Sequence, residues 1–229
     1  SGNIRIDEAN AIEIGSFHDV TGLSTTSGNI TLVAGGTITL TSLVSAGGAT
    51  GTVTLITTSN VVDGNAATNN VTAINLSITA PTGIASIADP LEVNVDSLTT
   101  DSSGSNGSQW ITESNGLTQL NLNAGAGDVT LVLTEGAVAD TDGSADITAV
   151  TATVTLIDVT AQDFGASGNP INTSVDSLNV ATSAGGGSQW ITESNGLTQL
   201  NLNAGTGNVT LLLTEGAVTD GDLADDITA

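Results

Sequence analysis

The chain has 229 residues and carries 24 Asp and Glu against one Arg, one His and no Lys, a net charge of −23. Potential of that sign and size excludes nucleic acid as a partner, and the absence of Cys excludes disulfides and thiolate-bound metals. Two Trp, two Phe, no Tyr and 28 Gly exclude a packed helical domain, while β-branched residues alternating with polar ones exclude a disordered chain.

The first predicted strand lies in Gly2-Asn-Ile-Arg-Ile6, a glycine followed by polar and aliphatic residues in alternation. The phrase returns as Gly28-Asn-Ile-Thr-Leu32, Gly36-Thr-Ile-Thr-Leu40 and Gly51-Thr-Val-Thr-Leu55. Alternation of this kind marks strands with one buried face. The starts at 2, 28 and 51 are 26 and 23 residues apart, a spacing that fits one coil of a parallel β-helix with two or three short strands per turn. A single coil cannot bury its aliphatic face. Stacking is therefore expected to gather Ile30, Leu32, Ile38, Leu40, Val53 and Leu55 into continuous columns. Asn3, Asn29 and Asn208 each precede a strand, where they serve either as turn residues or as an axial ladder of side-chain bonds. Arg5 and His18, the only basic side chains, both fall in this first part.

From about residue 66 the sequence repeats itself. Residues 90–149 and 170–229, offset by 80, share 41 identities in 60 positions, and the stretch Ser108 to Gly125 recurs unchanged at 188–205. That stretch contains Trp110 and Trp190. Two readings stand for them: exposed rings that bind sugars or a partner, or rings that cover a loop against the coil below. Glu113 and Glu193, with Glu135 and Glu215, recur in the same register. Paired carboxylates are what glycoside hydrolysis needs, but these are duplicated rather than unique and have no basic residue near them in sequence. No enzymatic role is expected.

Each unit closes on an acidic motif, Asp140-Thr-Asp142-Gly-Ser-Ala-Asp146 and its counterpart Asp220-Gly-Asp222-Leu-Ala-Asp225-Asp226. Asp at the first, third and seventh positions resembles the front half of a calcium loop, in which short carboxylates converge on a hard cation. The distal Glu of such loops is missing, so a solvated acidic turn stands beside calcium as a reading of Asp140, Asp142 and Asp146 and of Asp220, Asp222 and Asp226. The sequence stops at Asp226-Ile-Thr-Ala229, which matches Asp146-Ile-Thr-Ala149. No capping helix is predicted at either end, and uncapped coils template further strands.

The fold expected is thus all-β: a right-handed parallel β-helix (β-solenoid) of roughly ten coils, without obvious caps. Its parts are divergent coils over 1–65 and two copies of a duplicated unit with an 80-residue offset, over 66–145 and 146–229, forming one continuous solenoid. No apolar run is long enough to span a bilayer as a helix. The phrases at Gly28, Gly36 and Gly51, and the unit from Val95-Asp-Ser-Leu98 to Gly136-Ala-Val-Ala-Asp140, resemble the repeats of bacterial filamentous-haemagglutinin-like and autotransporter-like giant surface proteins. That resemblance implies secretion, an extended β-helix and a role in adhesion or matrix formation. The expected function is a structural module of an extracellular fibre, sheath or cell-surface protein. Its expected partners are further copies or neighbouring repeats, stacked end to end. An adhesin that binds glycans through repeated loops is the second reading.

Overall fold

The computed structural model describes residues 2–219, 221, 224 and 226–229. Every regular element among them is a strand. Twenty strands form one sheet in which all pairings are parallel, and a two-stranded antiparallel hairpin, Ser16–Phe17 with Val20–Thr21, projects from the first coil. The chain is a β-solenoid, as its alternating glycine-led phrases predicted.

The coils can be counted along one column of paired residues. It runs Ile6, Leu32, Leu55, Ile78, Thr100, Leu122, Ile147, Thr173, Glu193 and Leu213, one residue per coil for ten coils. At about 4.8 Å between stacked strands, the rod is on the order of 45 Å long. Successive members are 20 to 26 residues apart; the sequence spacings of 26 and 23 are the first two of this series. Ile30, Leu32, Ile38, Leu40, Val53 and Leu55 are all fully buried, as expected. Burying each such side chain contributes about 1.5–3 kcal/mol relative to leaving it in water.

How the chain turns a corner is written in the burial pattern. The long strands Leu91–Asp101 and Ile171–Ala181 alternate buried and outward residues, then place two outward residues in succession, Asp96-Ser97 and Asp176-Ser177. Each slip of parity bends the strand onto a new face while keeping aliphatic residues inside. Tighter corners use glycine. Gly116 and Gly136 stack in successive coils with φ of +88° and +75°, and a Cβ on Gly136 would lie 2.5 Å from the Asn115 carbonyl. Only glycine fits both the dihedral and the approach.

Corner side chains also bond along the axis. The Asn29 amide N–H donates to Asn3 Oδ1 at 2.9 Å, and the Thr52 N–H donates to Asn29 Oδ1 at 3.1 Å. The axial ladder holds at Asn3 and Asn29, with side-chain oxygen to backbone nitrogen as its link, whereas the Asn208 backbone N–H donates to Ser188 Oγ at 3.2 Å. Asn70, Asp128, Asp146 and Asp163 accept backbone amides of the next coil in the same way.

The 80-residue offset is not a whole number of coils. The column from Gln109 passes through Val129, Ala152 and Leu178, three coils on, and Gln189 comes 11 residues later. Gln189 belongs instead to the column of Leu117, Val138 and Phe164. Each duplicated residue is consequently carried onto a different face of the rod. No helix among the described residues is long and apolar enough to cross a membrane.

Candidate metal centre

The acidic motif forms the corner that leads into the strand Ile147–Leu156. Asp140 and Asp146 are buried, at 2% and 1% exposure, while Asp142 is exposed. One carboxylate oxygen from each lies within 4.8 Å of the others. Several oxygens are engaged by donors. Asp140 accepts the Leu120 and Asp142 amides at 3.3 and 2.9 Å. Asp142 accepts the Ser144 amide at 2.6 Å and the Gln119 side-chain amide at 2.8 Å. Asp146 Oδ2 accepts the Asn172 amide at 2.6 Å, but its buried Oδ1 has no donor. Burial, together with the neighbouring charges of Asp140 and Asp142 and a side-chain hydrogen bond to Asp140, pushes the Asp146 carboxyl up to about 7, against the pull of the Asn172 amide. Three converging carboxylates without a thiol or imidazole suit a hard, oxygen-seeking cation. Of the matching motif, Asp220 and Asp222 lie outside the described residues. The Asp226 carbonyl accepts the Leu202 amide at 2.7 Å, as that of Asp146 accepts the Leu122 amide at 2.7 Å.

Glu113 and Glu193 are both fully buried. In Gln109-Trp-Ile-Thr-Glu113 the glutamate shares the inward parity of Gln109 and Ile111, a signal already present in the alternation. Glu113 accepts the amides of Val95 at 3.2 Å, Asn115 at 2.9 Å and Gly116 at 2.6 Å. It thereby satisfies the N–H groups that the corner turns away from the sheet ladder. Burial raises its carboxyl above the usual range, and those amides oppose the rise. Glu193 accepts the Val175 and Asn195 amides at 3.4 and 2.9 Å and the Thr173 hydroxyl at 2.6 Å. Both carboxylates are turned inward to cap backbone.

Trp110 and Trp190 point outward and are half-buried. The column from Trp110 continues to Thr130, Thr153, Asn179 and Asn201, whereas Trp190 pairs with Thr210. The two rings stand in different columns, not in one axial row. Beneath them lie the fully buried Gln109 and Gln189. Gln109 Oε1 accepts the Thr100 hydroxyl at 2.5 Å, and its Nε2 donates to Ser102 Oγ at 2.9 Å. The residue matching Thr100 in the second unit is Val180, which has no hydroxyl, and Gln189 Oε1 is left without a donor.

The chain matches no family profile, no curated protein and no solved structure.

A second acidic cluster was not foreseen. Asp63, Asp89 and Glu92 come together across coils: burial first and the Asp63 charge next push Glu92 up to about 7, and burial and a bond to Asp63 raise Asp89. Asp63 Oδ2 and Glu92 Oε2 are buried without donors. These residues sit 29 positions apart at the extremes, outside any repeat, so only the coil stacking reveals them. His18, at φ +52°, lies in the hairpin and stacks edge-on against Phe17 at 4.5 Å. The sole ion pair among the described residues joins Arg5 to Asp7 at 2.7 Å on the surface.

Proposed function

We propose that this chain is a structural module of an extracellular fibre, sheath or giant cell-surface protein, acting as a stiff spacer rather than as an enzyme. The observation that carries this reading is the single column of paired residues running through all ten coils. A rod with one uninterrupted parallel ladder and one aliphatic core bends and shears little, because any local opening exposes apolar surface on both neighbouring coils. The duplicated carboxylates support a non-enzymatic role, since Glu113 and Glu193 are spent on backbone amides. Placement at the cell surface draws on the repeat resemblance and on a surface nearly devoid of cations. Stacking of rungs with further copies or neighbouring repeats draws on the part-exposed aliphatic side chains Ile4, Ile6, Val209 and Leu211.

The adhesin reading is favoured by one observation, the outward, half-buried Trp110 and Trp190, which present an aromatic face to a sugar ring. Electron microscopy of the native material separates the two. Long uniform filaments whose axial repeat matches this rod support the spacer; discrete particles that bind immobilised glycans through the tryptophans replace it with the adhesin.

A further inference from the structure

The corner at Asp140 has a counterpart earlier in the same chain, and the difference between the two defines a ligand. Between three and four coils earlier, Asp63, Asn65 and Asn70 take the places of Asp140, Asp142 and Asp146 in a corner one residue longer. Asp63 accepts the Asn65 amide at 2.9 Å as Asp140 accepts that of Asp142 at 2.9 Å. Asn70 Oδ1 accepts the Glu92 amide at 2.8 Å as Asp146 Oδ2 accepts that of Asn172 at 2.6 Å. Both residues precede the aliphatic start of a strand, Val71 and Ile147.

What fills the centre is different. In the earlier corner the Asn70 amide nitrogen, fully buried, donates to Asp63 Oδ1 at 2.6 Å, Asn65 Oδ1 at 3.0 Å and the Leu40 carbonyl at 3.3 Å. A polar hydrogen-bond donor thus sits between Asp63 Oδ1 and Asn65 Oδ1, although Asp63 Oδ2 and Glu92 Oε2 beside them keep no donor. In the later corner that donor is replaced by Asp146 Oδ1, an acceptor, and Asn65 is replaced by Asp142, a second added carboxylate. Three carboxylates now converge within 4.8 Å, and the buried Asp146 Oδ1 has no donor. A side chain that is 1% exposed cannot recover its lost hydration from bulk water.

We infer that Asp140, Asp142 and Asp146 bind a calcium-class divalent cation that occupies the position held by the Asn70 amide nitrogen in the earlier corner. The cation takes Asp146 Oδ1 and one oxygen from each of the other two as ligands, with water completing a shell of six to eight oxygens of the kind calcium accepts. Mg²⁺ is a poorer occupant, because it demands a regular octahedron and gives up water reluctantly. Exposure of Asp142 gives the ion a route in. The site ties the corner of one coil to Asn172 of the next through Asp146, so occupancy stiffens the rod where its second unit begins.

The test is calcium titration by calorimetry and by thermal melting, in about 0.15 M salt so that the diffuse ion atmosphere is screened. The wild-type chain is expected to bind with Kd on the order of 10⁻⁴–10⁻³ M and to melt higher in calcium than in chelator. Asp146→Asn restores the Asn70 arrangement. It is expected to melt about 2–4 °C above wild type in chelator and to bind one calcium fewer. Asp142→Asn, at an exposed position that does not test folding, should weaken binding at this site about tenfold or more, while Asp63→Asn leaves it unchanged. The inference is overturned if wild type gives no heat and no melting shift at about 10 mM calcium. An unchanged stoichiometry in Asp146→Asn, or an equal response to Mg²⁺, overturns it as well.

Discussion

Replacing Glu113 by Ala tests whether an inward carboxylate holds the corner. The substitution removes the acceptor of three amides, those of Val95, Asn115 and Gly116. Asn115 is exposed, so its N–H can turn to water, but Val95 and Gly116 are buried and theirs cannot. Each stranded buried amide costs about 1–3 kcal/mol, and the one lost methylene adds about 0.8 kcal/mol. Against this stands the relief from burying a charge, which the raised carboxyl of Glu113 makes evident. The net expectation is a loss of about 3 kcal/mol. Glu113→Gln should lose about 1–2 kcal/mol, because its oxygen keeps an acceptor and its NH₂ meets other donors. Urea unfolding at constant slope measures the loss, and hydrogen exchange at the Val95 and Gly116 amides locates it. If Glu113→Ala stays within about 0.5 kcal/mol of wild type, the charge costs as much to bury as its bonds return, and the capping argument is wrong.

Acidity should stabilise the chelator-treated protein. Glu92 and Asp146 are raised from 4.5 and 3.8 to about 7, so between those limits the folded chain keeps protons that the unfolded chain releases. Stability therefore falls as pH rises through that window, and melting temperatures at about pH 5 should exceed those at about pH 8; the opposite order would sink the assignment of both groups. Val180→Thr supplies the hydroxyl that Gln189 Oε1 lacks and should raise stability by about 1 kcal/mol, measured as a shift of the urea midpoint, with no gain or a loss counting against the pairing. Phe164→Ala, at a fully buried ring, should cost about 3–5 kcal/mol, whereas Phe17→Ala, at 77% exposure, should fall within about 0.5 kcal/mol of wild type. Gly136→Ala forces a Cβ to within 2.5 Å of the Asn115 carbonyl at φ +75° and should destabilise by about 1–3 kcal/mol, which melting would show.

Much of the fold was legible because the signals are local. Ile30, Leu32 and Ile38 follow glycine in strict alternation, and the recurrence of that phrase carries the coil spacing with it. The inward course of Glu113 was legible too, since it shares parity with Gln109 and Ile111, but a glutamate between the outward Thr112 and Ser114 reads first as a surface acid. The Asp63, Asp89 and Glu92 cluster was not legible. Its members meet only because coils stack, and no repeat brings them into notice. The phase of the duplicated units was hidden for a related reason. Identity between 108–125 and 188–205 says nothing of how many residues the intervening corners consume, and coil lengths vary between 20 and 26.

That phase decides how the rod meets its surroundings. Since Gln189 falls 11 residues beyond the third coil from Gln109, a duplicated patch such as Trp110 and Trp190 points in a new compass direction at each recurrence, like steps on a spiral stair. A flat partner lying along one side meets one copy of the patch, whereas a partner that winds around the axis meets both. Neighbouring rods laid side by side find no single face on which the two copies of the patch line up.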